Sequence, residues 1–312
     1  LRHISALSGV GVGGGSLVYA NTLPKPKSPF FNQGSWKGLA DWENELAPHY
    51  DTAWRMLGAA LNPVLAESDR AMQQLAAKMN KSGQFSPTTV AIYFGEPEVT
   101  VKDPYFDGKG PDRTGCRHCG ACMTGCRHNA KNTLDKNYLH LAQQLGVTIL
   151  AENEVTSVKP LGKNGIDGYE ISFRQSTKYF SRTQSVNADG VVFAGGVFGT
   201  IPLLLKLKKT TLHGLSNRLG HMIRTNSEAL IYVTSTDKSP ELHKGIAIGS
   251  ILEMDENSHL EPVRYGKGSG FWRITMVPMV SGRNVFGRIL KIIFLTLKAP
   301  LSWLKVFFVR DF

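Results

Sequence analysis

The sequence predicts a mixed α/β (α+β) fold, in which a Rossmann-like strand, glycine turn and helix accompany a second, antiparallel sheet. Three observations predict it. A glycine-rich segment, Gly9 to Gly15, stands near the start and runs into Ser16 and the apolar Leu17, Val18, Tyr19 and Ala20. Gly190 to Ala194 is a continuous apolar run without alternation, followed by Gly195, Gly196 and Gly199 and then a helical pattern from Ile201 to Leu207. That order gives a strand buried on both faces, a glycine turn and a helix N-terminus, which together can seat a phosphate. Finally, Leu230 to Thr236, Ile246 to Glu253 and Phe271 to Pro278 read as strands of a second, largely antiparallel sheet.

Composition allows such a fold and excludes others. The chain has 312 residues, of which 42% are hydrophobic and 20% charged, so it can bury a core, and disordered, collagen-like and disulfide-stapled chains are excluded. Thirty-six Lys and Arg against 25 Asp and Glu leave a net charge of +11, which favours polyanions, an anionic membrane surface or a phosphate-bearing cofactor. The positive charges are not gathered as in a nucleic-acid arm, and no nucleic-acid partner is expected. No apolar run reaches the roughly 18 residues of a membrane-spanning helix, because Lys291, Lys298 and Lys305 interrupt the most hydrophobic segment, Ile289 to Val309. No signal-peptide pattern is seen after Leu1.

Along the chain, Gly9, Gly11 and Gly14 match G-x-G-x-x-G, but no buried parallel strand precedes them, so the match alone fits a flexible glycine loop as well as a dinucleotide turn. Leu39 to Ala59 and Asp69 to Met79 carry apolar residues at helical spacing. Ser86 to Pro111 is rich in Pro, Gly and Asp and reads as a long excursion with one strand candidate, Val90 to Phe94. Beyond it the pattern gives a helix over Leu134 to Leu145, a short strand over Val147 to Leu150, and a β-hairpin of Val155 to Lys159 with Tyr169 to Phe173. The expected organisation is a cofactor-binding segment over 1–38, a helical and loop excursion over 39–129, a continuation of the cofactor domain over 130–226 and a substrate domain over 227–312.

The four cysteines, Cys116, Cys119, Cys122 and Cys126, lie within eleven residues. Clustering of this kind suits a reduced, cytoplasmic compartment and a metal rather than disulfides. Their C-x2-C-x2-C-x3-C spacing matches the bacterial ferredoxin run, with Arg127 where that run has Pro. The fourth cysteine of that run serves a second cluster in two-cluster ferredoxins, and this chain has no remote cysteine to replace it. A 4Fe-4S cluster, a zinc ion held by the thiolates with or without His118 or His128, and a plain reduced loop remain open at this point. The nine histidines form no HExxH pair, and neither a GxSxG elbow nor a phosphate-binding GxxxxGK[ST] loop occurs, which removes support for hydrolase and NTPase readings.

Four blocks together carry a resemblance: GVGVGGGSLVYANTL from Gly9, AKNTLDKNYL from Ala130, NEVTSV from Asn153 and VVFAGGVFGT from Val191. Their order and spacing resemble the glucose-methanol-choline (GMC) oxidoreductases over nearly the whole chain, in the cholesterol oxidase-like branch. The resemblance implies FAD, passed by Gly11, Gly13, Gly14, Gly15 and Ser16, met at the adenine by the backbone of Val155 and on the flavin side by Gly195, Gly196 and Gly199. The branch has Asn directly after SLV, whereas this chain has Tyr19 there and Asn21 two residues on, which makes Asn21 the candidate polar group near the flavin. The resemblance also implies that the first βαβ unit lies before Leu1 and the catalytic histidine beyond Phe312, so the chain looks like an internal piece without a catalytic residue of its own.

The implied reaction takes the hydroxyl proton of an alcohol to that histidine and a hydride to flavin N5, with dioxygen or an electron carrier as the acceptor. The expected substrate is a hydrophobic alcohol, a sterol or a long-chain alcohol. The cysteine cluster is then either an electron exit or a structural clip. A second reading is an iron-sulfur or zinc electron-transfer module that keeps the fold without alcohol oxidation. The tail from Val285 to Phe312 mixes Arg288, Lys291, Lys298 and Lys305 with Ile, Leu, Phe and Trp303, which suits a helix resting on a membrane surface or one packed on another part of the protein.

Overall fold

Where a polar cap precedes an apolar stripe, the chain forms a helix, and where apolar residues alternate beside a partner, it forms short antiparallel ladders. The computed structural model describes residues 8–224, 228–233, 241–275, 280–282 and 284–301. In chain order the α-helices are α1 (Ser28–Phe31), α2 (Trp42–Met56), α3 (Glu67–Lys78), α4 (Tyr138–Gln144), α5 (Gly196–Thr210) and α6 (Val285–Lys298). The strands are β1 (Ala60–Leu61), β2 (Phe85–Pro87), β3 (Thr89–Val90), β4 (Thr100–Val101), β5 (Arg113–Thr114), β6 (Asn153–Pro160), β7 (Tyr169–Gln175), β8 (Gln184–Ala188), β9 (Ser250–Glu253) and β10 (His259–Leu260). Within the described residues the chain divides into two compact units, one formed by Leu1–Gly15 and Ala142–Ala229, the other by Ser16–Leu141 and Leu230–Phe312.

In the second of these units, β9 is the middle strand of a sheet ordered β10, β9, β2, with Leu252 opposite Phe85 and Ser250 opposite Pro87. Ser250 and Leu252 are buried and Ile251 and Glu253 are not, the period-two pattern of a strand with one covered face. Beside it, Val90, Ile92, Cys116, Cys122, Ala130, Ile246 and Ala247 form one apolar cluster. Helix α2 begins at Asp41, whose carboxylate accepts from the Asn44 backbone N–H at 3.4 Å. It ends at Gly58, which takes φ of +57° and lies so close to the Tyr105 ring and the Asn132 amide that a Cβ would overlap both.

Helix α3 is held by a buried ion pair. Asp69 and Arg264 are 0% and 1% exposed, with Arg264 Nη2 2.8 Å from Asp69 Oδ2. The carboxylate also accepts from Ser250 Oγ at 2.8 Å and from the Ala66 N–H at 2.9 Å. The guanidinium donates to the Ile246 carbonyl and to Ser68 Oγ, both at 3.1 Å. Such a pair holds a helix N-terminus to a sheet because each charge has several partners.

In the other unit, β6, β7 and β8 form an antiparallel meander, so the hairpin read from the sequence is present. A bulge interrupts the register between Val155 and Ser157. Helix α5 lies on β6, an edge strand: Lys206 Nζ donates to the Thr156 carbonyl at 2.9 Å and Thr211 Oγ1 to the Val158 carbonyl at 2.6 Å. Val158, Phe173 and Leu207 are the buried apolar residues there.

Several expected elements differ. Gly190 to Ala194 is not a buried parallel strand; the segment has no strand assignment and Val192 is 91% exposed. Such a strand needs parallel neighbours, and the ladders among the described residues are all antiparallel. Val147 to Leu150 is likewise unpaired and exposed. Of Val90 to Phe94, only Val90 joins a strand, and Ile92 makes an isolated bridge to Lys131. The helix expected over Leu134 to Leu145 is broken into a 3-10 turn, Leu134–Lys136, and α4. Asn137 breaks it, with φ −131° and ψ −94°, its amide bonded to the Met56 carbonyl at 3.1 Å. Leu230 to Val233 is coil, exposed except at the half-buried Tyr232, and Ser269–Thr275 is a 3-10 helix; residues 234–236 and 276–278 of the expected strands lie outside the described residues.

No helix of the described residues is long and apolar enough to cross a membrane. Removing one charge of the Asp69–Arg264 pair leaves the other buried and unpaired, so Asp69→Asn is expected to lower unfolding free energy by about 3–5 kcal/mol, read from urea unfolding of the full-length protein.

Candidate functional site

The glycine segment turns at Gly13 and Gly14, with φ of +107° and +57°, and the Gly14 N–H donates to the Gly11 carbonyl at 2.9 Å. Only glycine adopts both angles without strain. A 3-10 turn, Gly14–Leu17, follows. Cβ atoms built at Gly14 and Gly15 would meet nothing within 4 Å, so one side of the turn is open. Asn21, a few residues on, is fully buried at φ of +59°, and neither polar atom of its amide has a hydrogen-bond partner. A buried amide left unpaired costs about 1–3 kcal/mol, which an incoming group with both a donor and an acceptor would recover.

The AKNTLDKN block bonds to Ser16, Leu17 and Tyr19, the residues that follow the glycines, and its Lys131, Asn132, Thr133 and Asn137 are buried. Lys131, Asn132 and Asn137 are each 1% exposed. Lys131 Nζ donates to the Leu17 carbonyl at 3.0 Å and to the Cys122 carbonyl at 2.9 Å, and sits 4.7 Å from the Tyr19 ring centroid. Burial pulls its ammonium down to about 8, against the opposing effect of the Cys122 and Cys126 thiols. The Leu134 N–H donates to Ser16 Oγ at 2.9 Å, and Tyr19 Oη to the Asn132 carbonyl at 2.6 Å. Arg113, fully buried, donates to Asn132 Oδ1 at 2.7 Å and to the Lys136 carbonyl at 2.9 Å. Neither periodicity nor glycine spacing marked these residues as parts of a site; six polar residues in one block of eight were the available signal.

In the unit that also contains Gly13 and Gly14, Gly195 caps α5 and Gly196 opens it at φ of +70°. The N-terminus of this 15-residue helix has no side-chain cap and no acidic residue in its first turn, so its amides and dipole are free for an anion. Cβ atoms at Gly196 and Gly199 would enter open space. Val155 lies on the edge strand β6 beside the bulge and is 39% exposed.

The model of the family described as GMC oxidoreductase matches residues 2–208, two thirds of the chain. The chain belongs to the GMC oxidoreductases. A protein named cholesterol oxidase from Acinetobacter baumannii is 40% identical over 296 residues, 92% of this chain and 53% of that protein. Proteins of the same name from two strains of Mycobacterium tuberculosis are 42% identical over 296 residues, 92% of this chain and 51% of theirs. The chain thus spans about half the length of the curated relatives it matches. No solved structure matches it. GMC membership implies FAD, and the residues present fit it on separate observations: the open side of the glycine turn, the uncapped α5 N-terminus and the unpaired Asn21 amide.

The cysteines correct the sequence reading. All four are free thiols, and among the described residues no group of three or more His, Cys, Asp or Glu side chains could hold a metal ion. The 4Fe-4S and zinc readings of Cys116, Cys119, Cys122 and Cys126, with or without His118 or His128, are therefore not supported. Cys116 and Cys122 sit in the apolar cluster with Val90, Ile92 and Ile246, and burial pushes their thiols up to about 12 and about 11. The loop is instead held by main chain: Gly120 N–H donates to the Gly245 carbonyl and Gly245 N–H to the His118 carbonyl, each at 2.8 Å.

A cavity of about 1010 Å³ beside this loop is lined by Arg70, Arg117, Arg127, Lys244 and Lys267 against Glu67 and Glu241. A second, of about 520 Å³, is walled by Trp54, Ile92, Tyr93, Phe94 and Tyr105. Raised thiols stay protonated at pH 8, so iodoacetamide is expected to label the half-buried Cys119 and Cys126 at least about tenfold faster than Cys116 and Cys122, as mapped by peptide mass spectrometry of the native protein.

Proposed function

We propose that the protein is an FAD-dependent oxidoreductase that oxidises the CH–OH group of a hydrophobic alcohol, a sterol in the first instance, with dioxygen or an electron carrier as the final acceptor. The observation that carries this reading is the 296-residue likeness to proteins named cholesterol oxidase; the family match over residues 2–208 contains the glycines assigned to the cofactor. FAD, when bound, supplies two-electron acceptance, taking a hydride from the carbinol carbon as it becomes a carbonyl.

The residues of this chain serve binding and orientation. The turn at Gly13 and Gly14 lets the backbone approach a flat or phosphorylated group without a Cβ in between. The α5 N-terminus offers N–H groups and a positive dipole end to a pyrophosphate. Asn21 would offer a donor and an acceptor to a heteroaromatic edge. The aromatic walls of the 520 Å³ cavity supply the apolar lining that a lipid-like alcohol favours. Helix α6 exposes Phe286, Ile289, Ile293 and Leu297 and bears Arg288, Lys291 and Lys298, a composition that suits peripheral contact with an anionic membrane surface.

The full-length protein, purified under nitrogen, is expected to carry about one FAD per chain, whose visible absorbance bleaches on adding cholesterol or a long-chain alcohol. A protein without flavin, or a flavin that neither alcohol reduces, would overturn the reading.

A further inference from the structure

A buried ammonium is costly, so its partners show what the fold gains from it. Lys131 is 1% exposed, and no carboxylate among the described residues forms an ion pair with it at hydrogen-bonding distance. Its Nζ bonds are to two carbonyls, those of Leu17 and Cys122, and the Tyr19 ring covers it. A methionine would fill similar space without the desolvation cost, so filling the core does not account for a lysine here.

What the charge does is cap a turn. Leu17 is the last residue of the 3-10 turn Gly14–Leu17, whose terminal carbonyls have no partner within the turn. Lys131 supplies one to Leu17, the Leu134 N–H fastens Ser16 one residue earlier, and Tyr19 is fastened to Asn132 two residues later. Residues 131–134 thus bond to three of the four residues from Ser16 to Tyr19. The second Lys131 bond makes the Cys122 carbonyl the other end of the same clamp, which gives the cysteine loop a structural part in the site.

We propose that Lys131 is a positioning residue for the flavin cofactor: it clamps the exit of the glycine turn to the cysteine loop and so fixes the path of the backbone against which FAD is bound. The inference rests on the FAD reading under Proposed function. It predicts that loss of the clamp loosens the cofactor by more than any general loss of stability would.

The test uses the full-length holoprotein, stripped of flavin and retitrated with FAD, with flavin fluorescence and visible circular dichroism as readouts. Lys131→Met is expected to raise the FAD Kd at least about tenfold and to change the visible circular dichroism of the bound flavin. Lys131→Arg, which keeps charge and donors, is expected to stay within about threefold of wild type. Asp69→Asn, destabilised in the same unit but away from the clamp, is the control and should bind FAD as wild type does. Lys131→Gln replaces the Met variant if that one does not fold, with the same direction and a smaller shift, since its amide can still reach one carbonyl. Wild-type affinity and dichroism in Lys131→Met, or equal weakening in Asp69→Asn, would overturn the proposal while leaving the flavin reading intact. Failure of the wild-type protein to bind FAD would overturn both.

Discussion

The unit formed by Ser16–Leu141 and Leu230–Phe312 depends on burying three polar side chains of one short block, Lys131, Asn132 and Asn137, with hydrogen bonds made. Each buried polar group left unpaired would cost about 1–3 kcal/mol, and the block carries several. Their partners come from stretches far apart in sequence: Leu17, Leu57, Met56, Cys122 and Arg113. Satisfying one set of donors and acceptors therefore fixes Leu17, the end of α2, the cysteine loop and β5 together. Apolar packing alone would tolerate small shifts between these segments, whereas hydrogen bonds near 3 Å do not.

This arrangement gives the cysteine loop a role that its spacing alone did not suggest. The loop is pinned from one side by Lys131 at the Cys122 carbonyl and from the other by main-chain bonds to Gly245. Gly120 takes φ of +73° and packs so closely on the His243 carbonyl that no Cβ fits. Two thiols then serve as small apolar residues in the core. Short gaps between cysteines bring a chain back on itself whether a metal or a packed core occupies the turn, and spacing does not distinguish the two.

Elements whose cause is local were legible in the sequence. The hairpin of β6 and β7, helix α3 and the glycine turn follow from alternation, helical spacing and the need for positive φ at Gly13 and Gly14. Membership of the GMC oxidoreductases was legible too, because it rests on the order of four blocks rather than on any one of them. Gly190 to Ala194 misled because an apolar run reports a preference for burial, while a parallel strand also needs neighbours. Helix continuity across Asn137 misled because a side-chain bond to Met56, 81 residues away in sequence, outweighs local propensity. The part played by Lys131 was hidden for the same reason: a lysine reads as surface until its carbonyl partners are known.

The central claim of the proposed function is that the glycine turn and the α5 N-terminus, which belong to one unit, each offer a surface to FAD. Amide hydrogen exchange of the full-length protein, with and without FAD, tests it most directly. The account predicts that FAD slows exchange in peptides covering residues 11–21 and 195–200, with much smaller changes in the β6–β7 hairpin turn at 161–168. Unchanged exchange in both glycine segments on saturating FAD would contradict it.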